Sequence, residues 1–169
     1  MNRDGLFALY RYNAYANDLV LKTVAELSEV KFTQISSPSH SSVHQLLIHM
    51  LEVEAFFLST CSSHTMEELP DDATLADILT FYENLEKETH DYLIEITDSD
   101  LSREIEVPLG DQPLRLAIWQ ILVQAFVHST HHRGELSITL TELGHPLPTL
   151  DIIIQFVEQS GQKWPFAPI

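Results

Sequence analysis

The sequence predicts an all-α protein: a four-helix bundle, with a short hairpin-like connection before helix four and a short C-terminal helix. Three observations carry this expectation. Four long stretches repeat apolar residues at three- and four-residue steps. The segments between them are polar or carry turn residues, as connections between bundle helices do. At 169 residues, with 44% hydrophobic and 20% charged side chains, the chain has the size and composition of one globular domain spanning 1–169.

The first predicted helix covers about Asp4 to Leu27. Leu6, Leu9, Tyr10, Asn13, Ala16, Val20 and Leu27 form its stripe, with Asp4 as the expected cap and Asn13 as a hydrogen-bonded core asparagine. A polar stretch follows, including SSPSHSS from Ser36 to Ser42, where Pro38 breaks any helix. The second helix runs from about Val43 to Thr60 on Val43, Leu46, Met50, Val53 and Phe57. Cys61 to Ala73 reads as a polar loop. The third helix spans about Leu75 to Ile96, capped by Thr74. Leu101 to Arg115 alternates polar with apolar residues and carries a turn at Gly110-Asp111, which predicts the hairpin. The fourth helix runs from about Leu116 to Leu143 and stops at Gly144, Pro146 and Pro148. Leu150 to Gln159 forms the short fifth helix.

Charge and cysteine content narrow the function. Nine Lys and Arg against 25 Asp and Glu leave a formal charge of −16. Such a surface repels phosphate backbones and anionic lipid, so neither nucleic acid nor membrane is an expected partner. The single cysteine, Cys61, excludes an internal disulfide framework and any Cys-rich zinc site. No secretory signal pattern stands at the N-terminus, and a cytoplasmic location is expected. No apolar run approaches the ~18 residues a membrane helix requires.

The histidines carry the chemistry. There are nine. His128 and His132 fall within or beside the stripe of the fourth helix. Four residues apart, they share one face and stand about 6 Å apart along the axis. That spacing lets two imidazoles converge on one ion. His131 points away and is expected exposed. On the second helix His49 flanks the buried stripe, while His44 lies on the opposite face. If these helices pack side by side, His49 faces His128 and His132, and three neutral imidazoles with an open fourth position make a catalytic-type metal site. The plainer reading is three core histidines bonded to protein groups. Burying imidazoles without partners costs roughly 1–3 kcal/mol each, and one ion would satisfy all three.

These residues also carry a resemblance. His128-Ser129-Thr130-His131-His132-Arg133-Gly134-Glu135 resembles the HxxxHRGQ signature of the DinB/YfiT-like superfamily. Tyr12-Asn13-Ala14-Tyr15-Ala16-Asn17 resembles that family's opening on helix one. SVHQLLIHMLEVEAFF, Ser42 to Phe57, resembles its second helix, and Leu143-Gly144-His145-Pro146 followed by Asp151 resembles its close. The resemblance implies a DinB/YfiT-like bundle holding a divalent metal ion, zinc or nickel, between helices two and four on His49, His128 and His132. Glu135 departs from the usual Gln. It either bonds a ligand imidazole or faces solvent, and solvent is the expectation. Arg133 is expected in a surface ion pair, with anchoring of a carboxylate as the alternative.

Other residues have plainer expectations. Glu52, one turn after His49, would be a fourth ligand or base if it reached the ion, but exposure is expected, as for Glu54. Cys61 and His64 form a C-x-x-H pair without a second half. Tyr10, Tyr15 and Tyr82 read as core. Glu67, Glu68, Asp71 and Asp72 read as a solvated loop.

The resemblance implies a metal-dependent enzyme, with a thiol-dependent transferase acting on small molecules foremost and a hydrolase beside it. An anionic thiol sits awkwardly with the charge unless Arg103, Arg115 or Arg133 lines the mouth. The alternative is a non-catalytic, stress-associated metal-binding bundle that works as a homodimer; the family often looks dimeric. A third reading has the histidines satisfied in the core with no ion bound.

Overall fold

The computed structural model describes residues 1–34, 37–62, 64–65, 68–110, 112 and 114–165. Its elements are α1 (Arg3–Val24), α2 (Glu29–Gln34), α3 (Val43–Ser62), α4 (Leu75–Glu95), α5 (Asp98–Leu101), β1 (Glu104–Val107), β2 (Leu114–Ala117), α6 (Ile118–Glu142) and α7 (Ile152–Gln159). The four long helices close a ring of contacts in the order α1, α6, α3, α4 and back to α1. This is the expected four-helix arrangement.

Each long helix lays its apolar stripe into one core. Leu6, Val20 and Val24 of α1 meet Leu46, Leu47, Met50 and Leu51 of α3. Ile78, Leu85 and Leu93 of α4 and Ile118, Ile121, Leu136 and Leu140 of α6 complete it, all fully enclosed. Tyr10 and Tyr82 are core residues as expected, and Tyr15 is half-buried. Tyr10 Oη donates to Glu86 Oε2 at 3.1 Å, and Tyr82 Oη donates to Asp18 Oδ1 at 3.0 Å, tying α1 to α4.

Local chemistry sets the ends. Thr74 caps α4, as the sequence implies, and the structure adds a reciprocal box with Asp77. The cap of α1 is Asn2, not Asp4: Asn2 Oδ1 accepts from Gly5 N at 3.1 Å, and Asp4 sits in the first turn beside the positive helix end. At the end of α6, Gly144 has φ +83°, His145 N donates to Leu140 O at 2.8 Å and Gly144 N donates to Thr141 O at 3.0 Å. These two bonds form a Schellman cap that satisfies the last carbonyls.

The hairpin is present. β1 and β2 pair antiparallel with Glu104 opposite Ala117 and Val107 opposite Leu114. Leu116, expected as helix, is instead the partner of Ile105, so α6 begins two residues later. Gly110 turns with φ +68°, while Asp111 lies outside the described residues. Two short helices have no counterpart among the expected elements. α2 is six residues long, too short for a periodic signal, and is pinned by Phe32 in the core. α5 is a single turn closed by a Thr97–Asp100 capping box over the buried Leu101.

Candidate metal centre

α3 and α6 pack side by side, and their facing turns carry the histidines. The structure brings together all three residues singled out by spacing. The His49 ring lies 5.1 Å from that of His128 and 4.9 Å from that of His132, centroid to centroid, and the latter two are 4.4 Å apart. One ligating nitrogen from each falls within 4.8 Å of the other two.

The electrostatics suit a cation. Burial and neighbouring imidazoles hold His49 below the usual imidazole range, and the same causes push His128 down to about 4. Burial also lowers His132, against the opposing pull of Glu135. All three rings are therefore neutral at pH 7 and each offers a lone pair. Nε2 of His128 faces Nε2 of His132 at 3.1 Å, and the buried Nδ1 of His128 has no hydrogen-bond partner among the described residues. Two nitrogen atoms bound to one tetrahedral ion at 2.0–2.1 Å stand about 3.3 Å apart. The donor set and its spacing fit a divalent ion of borderline softness; imidazole suits zinc and nickel alike.

Glu135 is a correction to the expectation of solvent. It is only 15% exposed, with Oε2 3.3 Å from His132 Nδ1 and Oε1 3.2 Å from His131 Nε2; Ser39 Oγ also donates to it. Burial pushes this carboxyl up, but the bonds from Ser39 and His132 outweigh it and leave it below the usual range. With Nδ1–H donated to Glu135, the Nε2 lone pair of His132 turns toward His49 and His128. His131 is 68% exposed, as expected.

Arg133 and Glu54 are corrections as well. Neither is at the surface: Arg133 is 2% and Glu54 1% exposed. Arg133 Nη1 donates to Asn13 Oδ1 and Asn17 Oδ1, both at 2.7 Å, and Nη2 donates to Thr130 Oγ1 at 2.7 Å. Glu54 accepts from Asn13 Nδ2 at 2.8 Å, Ser129 Oγ at 2.8 Å and Asn17 Nδ2 at 3.5 Å. Buried charges need such partners, and this knot binds α1, α3 and α6 directly behind the imidazoles. Asn13 is the hydrogen-bonded core residue that was expected.

The other candidates separate clearly. Glu52 is half-buried and accepts from Leu69 N at 3.0 Å, outside the imidazole group. His44 is buried on the far side, its Nε2 2.7 Å from Ala73 O. Cys61 lies in the core, where burial pushes its thiol up to about 12, and it does not join His64 in a ligand group. Glu68, Asp71 and Asp72 are exposed as expected; Glu67 lies outside the described residues. Arg115 pairs with Glu104 and Glu106 across the hairpin, and with Arg133 enclosed, neither supplies a cationic mouth.

His49 also lines a cleft of about 740 Å³. Its walls include Phe56 and Phe81 on the apolar side and Glu52, Glu68 and Asp71 on the acidic side. Among the described residues that line it, none is Lys or Arg.

A sequence profile of the DinB family matches residues 1–161. The chain belongs to the DinB family. Two solved DinB-like structures share its fold. One, from Bacillus cereus ATCC 10987, is 19% identical with a TM-score of 0.65, covering 88% of this chain and 99% of its own. Another, from Bacillus subtilis, is 16% identical with a TM-score of 0.62, covering 85% and 96%. No curated protein matches the chain significantly. At these identities the likeness concerns architecture, and the chemistry of this DinB protein rests on its own side chains.

One residue at the site was not singled out by the sequence. His40, in the segment before α3, places its ring 4.6 Å from that of His49 and 5.7 Å from that of His132. Its only sequence signal is a histidine in the serine-rich stretch that leads into the ligand-bearing helix.

Proposed function

We propose that this DinB protein is a divalent-metal-dependent enzyme, with thiol-dependent transfer to a small molecule as its reaction class. One observation carries the reading: His49 belongs both to the convergent imidazole group and to the wall of the 740 Å³ cleft. An ion on His49, His128 and His132 would thus border a space large enough for a small substrate. Such an ion supplies Lewis acidity that lowers the pKa of a coordinated thiol or water.

The chain's own residues do the rest. His49, His128 and His132 would hold the ion, zinc or nickel, through neutral imidazoles. Glu135 fixes the tautomer of His132. Phe56 and Phe81 offer apolar contact to the substrate. Glu52, Glu68 and Asp71 favour an uncharged or cationic electrophile over an anionic one.

The test combines metal analysis with turnover. Protein purified without a histidine tag should contain zinc or nickel, and the His128→Ala variant should contain less of it. A screen of small thiols against an uncharged electrophile should give turnover that chelation abolishes and metal restores. Ion binding without any chelator-sensitive turnover favours the non-catalytic metal-binding bundle.

A further inference from the structure

His132 presents its two ring nitrogens to two different groups of donors. Nε2 faces His128, whereas Nδ1 faces Glu135 Oε2 at 3.3 Å. Ligating atoms of His40, His132 and Glu135 all lie within 4.8 Å of one another, forming a second convergent group beside the first. We infer that this chain has a second divalent-cation position, built from His40, His132 Nδ1 and Glu135, which shares His132 with the three-histidine position.

Three features support it. The separation of His132 Nδ1 from Glu135 Oε2 is the edge expected for two ligands of one tetrahedral ion, about 3.3 Å. Glu135 is largely enclosed, yet its ion-pair partners among the described residues are histidines, not a permanent cation. His40 is held at the site by its turn: Ser37 N donates to His40 O at 3.1 Å, and His40 N donates to Ser37 Oγ at 3.1 Å.

The donor set is two nitrogens and one carboxylate oxygen, which suits zinc, cobalt or nickel. Filling both positions makes His132 a bridging imidazolate. Its Nδ1 proton leaves to solvent, and the cation takes the place that proton held against Glu135. The carboxylate offsets part of the added positive charge.

The inference rests on the three-histidine position also binding metal, and the test separates the two. Metal-free, untagged protein is titrated with Co²⁺ in excess Mg²⁺, which occupies surface carboxylates. Native mass spectrometry counts the ions, and electron paramagnetic resonance reads their coupling. Wild type should bind two Co²⁺ per chain, magnetically coupled. His40→Ala, a loop substitution outside the first group, should bind one, uncoupled. His49→Ala should also retain one. Wild type saturating at one ion, or His40→Ala still binding two, overturns the second position alone. No ion in any form overturns both positions.

Discussion

Arg133 and Glu54 grip the same two asparagines: Asn13 and Asn17 accept from the guanidinium with their oxygens and donate to the carboxylate with their nitrogens. Removing one charge strands the other inside the bundle. Arg133→Met should therefore cost about 3–5 kcal/mol. Glu54→Gln, which keeps the shape and part of the bonding, should cost less, about 1–3 kcal/mol. Urea unfolding measures both. A loss below 1 kcal/mol in Arg133→Met would show that the knot contributes little.

Glu86 gives the fold a pH dependence. Burial, and then the nearby Glu54 charge, push its carboxyl up to about 8, against the pull of the Tyr10 hydrogen bond. The folded chain therefore holds a proton that the unfolded chain has released above about 4.5. That contribution is complete below pH 4.5 and is lost as pH rises toward 8. Glu86→Gln should remove this part of the slope. Thermal melts at pH 5 and pH 8 should lie closer together in the variant than in wild type.

Ion binding should appear as stability. A ligand bound only by the folded state adds about 2.7 kcal/mol at a hundredfold excess over Kd. Zinc or nickel should raise the Tm of wild type and of His131→Ala, whose ring is exposed. It should raise that of His128→Ala less, because only the group of His40, His132 and Glu135 remains intact there. Equal shifts in all three proteins would place the ion elsewhere.

Gly144 isolates a purely backbone effect. A Cβ built there meets nothing within 4 Å, yet φ is +83°. Gly144→Ala should cost about 1–2 kcal/mol from the left-handed backbone alone. Native-like metal content should accompany the lower melting temperature.

The bundle was legible because its long helices repeat apolar residues over several turns. Periodicity located α1, α3, α4 and α6 to within a few residues at each end. It was blind to α2 and α5, which are too short to complete a pattern. The meeting of His49 with His128 and His132 was also legible, since helix geometry fixes which faces they occupy. Arg133, Glu54 and Glu135 were misplaced for one shared reason. Charge predicts exposure unless partners are known, and their partners come from distant chain positions: Asn13 and Asn17 for Arg133, Ser129 for Glu54, Ser39 for Glu135. His40 was invisible because a turn, not a helix, carries it.

His128 and His132 ride on one rod, so their spacing is locked by helical rise. His49 rides on another, and only a slide or tilt between the two rods can resize the gap that the rings enclose. Close-packed side chains such as Leu47, Leu51, Ile121 and Leu136 resist that movement. Discrimination among ions of different radius thus becomes a mechanical property, set by the stiffness of oily contacts that never touch the guest.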